Sequence, residues 1–226
     1  MATPFALPQI NSDERMLWIH AGPHKAASSY VTERLRKNRT TLAKQRVLMD
    51  GDNNLLANSI AEKNYQPLEQ ALSGLSSDFQ RILISSSSLD TRILKRGVLT
   101  ILQEMASSYG FKLGISYFIR DQQSWLNSVY CHRVRRFRST QDFPDYCQYI
   151  MHDSTSWDIS YPSKFSVLME SPETIKMFLP LSREVATTDP FLALTSALGL
   201  QEPAGNGWLK GEPSKKNIQP GAKGIW

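Results

Sequence analysis

Cysteine is scarce in this chain, which has two in 226 residues, Cys131 and Cys147. Two cysteines supply neither a disulfide framework nor a set of zinc ligands, so we expect both thiols to be reduced. Long apolar runs are missing as well, since no stretch approaches the roughly eighteen consecutive apolar residues of a membrane span. The N-terminus lacks the basic start and apolar block of a secretory signal peptide. These absences predict a soluble, cytoplasmic protein without a membrane span.

What is present is an ordinary globular composition. Hydrophobic residues make up 41% of the chain and aromatic residues 10%, which is enough for a sizeable core. We predict a single domain over residues 1–226, with an N-terminal extension over 1–15 and a loop-rich tail over 201–226. The formal net charge of +5 suits an anionic ligand.

Strand candidates alternate with helix candidates through the first half of the chain. The strands are predicted over residues 16–20, 46–49, 81–85 and 112–119, and the helices over 28–43, 66–75 and 91–109. This alternation indicates an α/β fold in which helices flank a central parallel sheet. Further helices are predicted after residue 120, over 143–151 and over 191–200. Prolines divide residues 154–190 into pieces too short to assign.

The most informative segment runs from Trp18 to Tyr30 and reads W-I-H-A-G-P-H-K-A-A-S-S-Y. An apolar strand is broken by Gly22 and Pro23, and a helix is predicted to begin near Ser28. The first turn of that helix directs free backbone N–H groups and the positive end of the helix dipole at the loop. The segment therefore predicts a site for a phosphate or a sulfate.

The side chains of this loop strengthen the prediction of an anion site. Lys25 adds a mobile positive charge, and Ser28 and Ser29 add hydroxyl donors. The loop is not a Walker A sequence, because Ala26 follows the lysine where that motif requires Ser or Thr. A P-loop kinase or NTPase is therefore the weaker alternative.

A second segment with candidate ligand-binding residues runs from Tyr117 to Tyr130. Arg120 follows a predicted strand, so it lies at the carboxyl edge of the sheet, where doubly wound folds bind ligands. Asp121 can cap the next helix, and Ser128 lies about 10 Å along its axis. The arginine and the serine can hold one phosphate between them. In the structural alternative, Arg120 pairs with a carboxylate and Ser128 is an ordinary helix residue.

The two segments together resemble the signature of sulfotransferases that use 3′-phosphoadenosine 5′-phosphosulfate (PAPS). G-P-H-K-A-A-S-S is similar to the G-x-H-K-T-G-T-T loop of bacterial polysaccharide-type members, and Arg120 and Ser128 have the family's R-x(7)-S spacing. The resemblance implies a three-layer P-loop-like fold. It also implies that residues 22–29 hold the 5′-phosphosulfate and that the arginine and serine hold the 3′-phosphate. K-K-N-I-Q-P resembles a late loop over the nucleotide, which adds Asn217.

The activity that the resemblance implies is transfer of a sulfuryl group from PAPS to a hydroxyl or an amine. The acceptor would be a carbohydrate or a small molecule, including an anionic one, and no metal is expected. Lys25 would neutralise the charge that develops on the leaving phosphate. Backbone N–H groups of residues 26–29 would hold the 5′-phosphate.

The chain departs from the family pattern at two places. Ala27 stands where relatives use glycine, which costs about 1 kcal/mol if the position requires a positive φ. R-I-L-I-S-S-S-S-L places Ser86, Ser87 and Ser88 where relatives often carry S-S-E, so the usual carboxylate is missing. A second hypothesis therefore stays open, namely a catalytically weak relative that binds the nucleotide or a partner protein.

The general base must be another residue, within hydrogen-bond reach of the reacting oxygen. The candidates are His20, His24, His132, Glu33 and Asp90. His24 ranks slightly ahead, because the adjacent lysine and the helix dipole would lower its pKa and keep the imidazole neutral. Glu33 lies one turn into the helix and could turn inward, although a carboxylate there is commonly a partner of the helix dipole.

Four arginines occupy six positions over residues 133–138. The favoured interpretation is a solvated helix end, whose cations suit the C-terminal dipole. The functional alternative is recognition of an anionic acceptor or of the phosphate of the nucleotide. Because no helix-turn-helix, zinc-finger or RNP pattern accompanies the basic segment, a nucleic-acid partner is not expected.

Overall fold

Five parallel strands form one sheet in the part of the chain that the computed structural model describes, namely residues 14–51, 53–136, 138, 140–152, 160–181, 189–205 and 207–210. In chain order the strands are β1 (Met16–His20), β2 (Val47–Met49), β3 (Arg81–Ser85), β4 (Lys112–Arg120) and β5 (Ile175–Leu181). They lie in the order β2-β3-β1-β4-β5, and each neighbouring pair is parallel.

Helices supply the crossover connections that parallel neighbours require. Among the described residues, two helices lead from β1 to β2, two from β2 to β3, one from β3 to β4 and three from β4 to β5, and one follows β5. They are α1 (Ser28–Lys37), α2 (Arg39–Lys44), α3 (Leu55–Glu62), α4 (Gln66–Ser73), α5 (Arg96–Ser108), α6 (Gln122–Arg135), α7 (Phe143–His152), α8 (Tyr161–Met169) and α9 (Pro190–Ala197). A short 3-10 helix, Ser87–Leu89, follows β3.

Most buried side chains belong to one core on each face of the sheet, and a smaller cluster joins α6 to α7. Successive side chains of a strand point to opposite faces. Accordingly, Leu17 and Ile19 of β1 pack in the core formed with α3, α4, α5 and α8. Met16 and Trp18 pack in the core formed with α1, α2 and α9. The prediction of a three-layer α/β fold with a central parallel sheet is confirmed.

The predicted element boundaries were right where the apolar pattern was strong. The strands over 16–20 and 81–85 match the observed bounds, and the other two differ by one residue. The single helix predicted over 28–43 was wrong, because it breaks at Asn38, whose φ is −96°. The Asn38 side chain donates to the carbonyl oxygens of Arg34 at 2.8 Å and Leu209 at 3.0 Å, so the break accommodates a tertiary contact.

Two elements, β5 and α8, lie in the segment that the sequence left unassigned. β5 contains Pro180 and lies at the edge of the sheet that the described residues form, where a strand tolerates a proline. α8 begins with a cap in which the Ser160 hydroxyl accepts from the Ser163 N–H, and Pro162 lies in its first turn. A serine cap with an early proline is a helix-start signal that the sequence does carry.

Gly114 in the middle of β4 provides the space for Trp18 of β1. A β-carbon at position 114 would overlap the Trp18 ring. Because both residues lie inside the sheet, we expect Gly114→Ala to destabilise the fold by about 1–3 kcal/mol. Urea denaturation measures this change. The control is Gly97→Ala at an exposed position in α5, where an added β-carbon has open space and should be neutral or slightly stabilising. Equal midpoints for the two variants would contradict this account.

Candidate functional site

The carboxyl end of β1 lies at a switch point in the sheet topology. From β1 the chain builds β2 and β3 on one side, and then crosses to build β4 and β5 on the other. The connections that leave β1 and β3 therefore diverge and open a crevice beyond the strand ends, where open α/β sheets bind ligands. The loop of residues 21–27 connects β1 to α1 at this crevice.

Residues 21–27, which we call the nucleotide loop after the function that the sequence predicts for them, are closed by hydrogen bonds to a single carbonyl. The Pro23 carbonyl oxygen accepts from the Ser28 hydroxyl at 2.8 Å and from the Ala26 N–H at 3.2 Å. Two predicted phosphate donors are thus engaged inside the loop, and the Ser28 oxygen retains lone pairs to accept further hydrogen bonds. The first backbone hydrogen bond of α1 runs from the Val31 N–H to the Ala27 carbonyl at 3.0 Å. The N–H groups that precede Val31 in the helix therefore point into the crevice.

Two positions of the nucleotide loop have left-handed backbone. The φ of Lys25 is 67° and that of Ala27 is 59°, and Ala27 is the residue that precedes α1. A β-carbon costs roughly 1–2 kcal/mol in this region. The position where related loops use glycine therefore has a positive φ here, and the alanine is strained.

The two predicted anchors meet at this loop. The Arg120 guanidinium, at the end of β4, donates to the Lys25 carbonyl at 3.1 Å. The indole N–H of Trp125, in the first turns of α6, donates to the His24 carbonyl at 2.9 Å. Two consecutive loop carbonyls are therefore held by side chains from the second segment, and the two segments form one site.

Ser128 lies on the face of α6 that is turned toward the nucleotide loop. It comes three residues after Trp125 and four before His132, so the three side chains share one face of the helix. The ring of His132 packs edge-on against the ring of His24, with centroids 5.2 Å apart. Contacts to His24 thus flank Ser128, which is half-buried.

Positive charge converges at the nucleotide loop. Partial burial, followed by the charges of Arg135 and Arg136, lowers the pKa of Lys25. Burial and then the Lys25 charge lower the pKa of both His24 and His132. Arg135 and Arg136 are exposed at the end of α6, as expected for a solvated helix end, and their charges also reach Lys25. An anion bound here would relieve the mutual repulsion of these groups.

A side chain of α8 holds the end of β4 in place. The Tyr161 hydroxyl donates to the Arg120 carbonyl at 2.5 Å. Lys164, which is 2% exposed, lies with its ammonium 2.8 Å from the Asp90 carboxylate. The Tyr117 hydroxyl donates to the Asp90 carbonyl at 2.6 Å. As a candidate base, Asp90 is therefore already committed to a buried ion pair.

Sequence reasoning missed Tyr161 and Lys164 because they lie in the segment left unassigned. The serine cap and early proline of α8 were the signal that could have placed a helix there. The partnership of Lys164 with Asp90 spans 74 positions and leaves no local pattern in the sequence.

His20, another candidate base, lies in the buried interior beneath the crevice and not at its surface. It is fully buried, and its Nδ1 shares a hydrogen bond with the Ser85 hydroxyl at 2.8 Å. The Ser85 hydroxyl in turn shares one with the Thr32 hydroxyl at 2.8 Å. Burial lowers the pKa of His20 to about 3, so its ring is neutral. This network joins β1, β3 and α1 beneath the site.

A groove of about 340 Å³ lies next to the nucleotide loop, between α1 and the segment that follows β3. One wall consists of side chains from α1 with helical spacing. These are Ser29, Thr32, Glu33 and Arg36. The opposite wall consists of Asn54 and residues 85–87. The serine run that follows β3 thus faces Glu33, while His24 faces α6.

Comparisons with known proteins do not identify the chain. No protein-family model matches it, and no curated protein matches it. In the described ranges, no group of three or more His, Cys, Asp or Glu side chains is placed to hold a metal ion. No helix of the same ranges is long and apolar enough to cross a membrane. Asn217 lies outside the described residues. The likeness to sulfotransferases therefore rests on the two loop motifs and their geometry.

The strain at Ala27 can be measured directly. We expect Ala27→Gly to stabilise the protein by about 1 kcal/mol, because glycine adopts a positive φ without steric cost. The matched control is Ala26→Gly, one residue earlier, where the alanine is buried and its φ is not positive. That variant should lose stability, because glycine gains freedom in the unfolded chain. Urea midpoints compare the two, and a loss of stability in both would show that position 27 is not strained.

The buried His20 makes stability depend on pH. Its pKa in the folded state lies below the ordinary 6.5, so its contribution is complete above pH 6.5 and is lost as the pH falls toward 3. The expected slope from this group is about 1.4 kcal/mol per pH unit. His20→Asn keeps a hydrogen-bonding atom at the δ position and removes the titration. Urea midpoints between pH 7 and 5 should therefore fall less steeply in the variant, and identical slopes would contradict this assignment.

Proposed function

We propose that this chain is a PAPS-dependent sulfotransferase, which moves a sulfuryl group to a hydroxyl or amine of a carbohydrate or small-molecule acceptor. The observation that carries the proposal is the hydrogen bond from Arg120 to the Lys25 carbonyl. It joins the two motifs that resemble the family at one switch point of the sheet. A resemblance confined to sequence would not require these motifs to touch.

The residues of the site fit a nucleotide with phosphates at both the 3′ and 5′ positions. The start of α1 presents N–H groups to a 5′-phosphate, with Gly22 and Pro23 shaping the turn before it. Arg120 and Ser128 supply a guanidinium and a hydroxyl on the α6 side for a 3′-phosphate. Selecting a 3′-phosphate is what would distinguish PAPS from ATP.

Lys25 is the residue we propose to neutralise charge on the leaving 5′-phosphate. When bound, PAPS would supply the activated sulfuryl group. The lowered pKa of Lys25 reflects burial and neighbouring arginines, and a bound anion would favour its charged form. A charge that develops on the phosphate would therefore be met by a cation fixed beside it.

The proposal also includes the cellular environment of the protein and the remaining site residue. Cys131 and Cys147 are free thiols, which suits a reducing, cytoplasmic environment. We retain Asn217 as a residue over the nucleotide, on the resemblance alone. No metal and no nucleic acid enter the proposed reaction.

One observation favours a second candidate function. Ala27 places a methyl group at a left-handed position beside the proposed phosphate site. This strain favours a relative that binds the nucleotide, or a partner protein, with little or no transfer. The P-loop kinase alternative stays weaker, because Ala26 follows the lysine, is buried and carries no hydroxyl for a metal ion.

Binding of 3′-phosphoadenosine 5′-phosphate (PAP) tests the proposal. We expect wild-type protein to bind PAP in calorimetric titrations and to bind ATP with Mg²⁺ far more weakly. Arg120→Ala should weaken PAP binding about 10- to 100-fold, which is the value of a charge-assisted hydrogen bond. Lys25→Ala should abolish transfer. Arg96→Ala removes an arginine that pairs with Glu170 on the surface and serves as the charge-matched control.

A further variant separates two possible roles of Arg120, namely contact with the phosphate and support of the loop. Trp125→Phe removes the hydrogen bond to the His24 carbonyl without changing any charge. If Arg120 contacts phosphate, its loss should cost much more affinity than the loss of this indole donor. Equal effects would mean that Arg120 only holds the loop. Absence of PAP binding in the wild type would rule out the sulfotransferase and the nucleotide-binding relative, and wild-type activity in Lys25→Ala would contradict the role of the lysine.

A further inference from the structure

The groove of about 340 Å³ beside α1 is large enough for a small molecule and borders the nucleotide loop. Every described side chain that lines it is polar, and the set comprises hydroxyls, one amide, one carboxylate and one guanidinium. Such a lining makes hydrogen bonds in several directions, and its described residues include no apolar side chain to pack against an aromatic ring. It therefore suits a hydroxyl-rich ligand and disfavours a phenol or a sterol.

We infer that this groove is the acceptor site, that it binds a sugar-like acceptor, and that Glu33 is the general base for the reacting hydroxyl. The inference rests on the sulfuryl transfer proposed above. It assigns to that reaction a base and an acceptor class. Among the described residues that line the groove, Glu33 is the one carboxylate.

The position of Glu33 follows from the geometry of α1. Ser29, in the first turn at the anion-binding end of the helix, also lines the groove. Glu33 comes four residues later, about 6 Å along the helix axis. The Glu33 carboxylate now lies 3.5 Å from the Lys37 ammonium, one turn further along the helix. Because side chains of a helix lean toward its N-terminus, a carboxylate that leaves Lys37 can extend back over the turn that contains Ser29, toward the proposed phosphosulfate.

His24 has a different orientation, which separates the two strongest candidate bases. Its carbonyl is held by Trp125, and its ring packs against His132 on the α6 side of the loop. It is not among the residues that line the groove. An acceptor in the groove therefore meets Glu33 and not the imidazole.

The present partner of Glu33 can be displaced at little cost. Its carboxylate lies 3.5 Å from the Lys37 ammonium, and the two side chains are 41% and 36% exposed. An exposed pair with i,i+4 spacing contributes little stability. At the far end of the same wall, Arg36 is fixed by a hydrogen bond of 2.6 Å to the Asn54 side-chain oxygen. Arg36 is therefore held in place, whereas the Glu33 carboxylate can exchange the Lys37 ammonium for a new hydrogen-bond donor.

The proposed step balances without a metal or a redox partner. A hydroxyl oxygen of the acceptor attacks sulfur and forms the new O–S bond. The bond between sulfur and the bridging phosphate oxygen breaks, and its electron pair stays on the 5′-phosphate, beside Lys25. The hydroxyl proton passes to the Glu33 carboxylate, which later releases it to water.

The experiment compares five full-length proteins, namely wild type, Glu33→Gln, Glu33→Asp, His24→Gln and the control Glu104→Gln. Glu104 is an exposed glutamate on α5, outside the groove. The PAP dissociation constant is measured by calorimetry for each protein. Initial rates of sulfate transfer from PAPS are measured with methyl glucoside, methyl galactoside, N-acetylglucosamine and 4-nitrophenol.

We expect at least one glycoside to be sulfated and 4-nitrophenol to be a poor acceptor. Glu33→Gln should lower kcat about 10²- to 10⁴-fold, the usual contribution of a general base, with a PAP dissociation constant within about twofold of wild type. Glu33→Asp should recover part of the rate, and Glu104→Gln should retain all of it. A misfolded variant would instead lose PAP binding as well as rate.

Three results would overturn the inference. The first is unchanged kcat in Glu33→Gln while His24→Gln loses transfer. The second is preference for 4-nitrophenol over every glycoside. The third is PAP binding without transfer to any glycoside, which leaves nucleotide binding intact and removes the acceptor assignment. Failure of the wild type to bind PAP would instead overturn the proposed function itself.

Discussion

The candidate site depends on two hydrogen bonds that hold consecutive carbonyls of one loop, from Arg120 to Lys25 and from Trp125 to His24. Holding these two carbonyls on side-chain donors satisfies acceptor groups that would otherwise repel an anion. What remains for a ligand is the positive end of α1 and the side chains around it, so the loop favours anions.

The support of this contact extends through the sheet. Arg120 is the last residue of β4, and its own carbonyl is held by Tyr161 of α8. The buried pair of Lys164 and Asp90 joins the same helix to the segment after β3. Replacing one partner of a buried ion pair leaves an uncompensated charge, which costs far more than the loss of a surface pair. The edge of the sheet that carries the candidate site is thus held by residues outside the proposed ligand contacts.

Sequence reasoning was sufficient where the information is local. Apolar runs ended by Gly22 and Pro23, and by Arg120 and Asp121, identified the strands and placed both anchors at one edge of the sheet. It was insufficient where a residue's role depends on distant neighbours. Pro180 made β5 unreadable until its edge position was known. The candidate bases could not be separated, because the sequence does not say that His20 is buried, that Asp90 is paired, or which side of the loop each remaining candidate faces.

The helix α1 has a consequence for how nucleotide and acceptor are aligned. Its first turn belongs to the anion site and its second turn to the groove, and the two are joined by the continuous hydrogen bonds of the helix. The separation between them is therefore one helical pitch, about 5.4 Å, whatever the loop before it does. If the proposed function holds, strain or motion in the loop would change how tightly a nucleotide is held but not the spacing between the two half-sites. The helix would then set the distance between nucleotide and acceptor independently of nucleotide affinity.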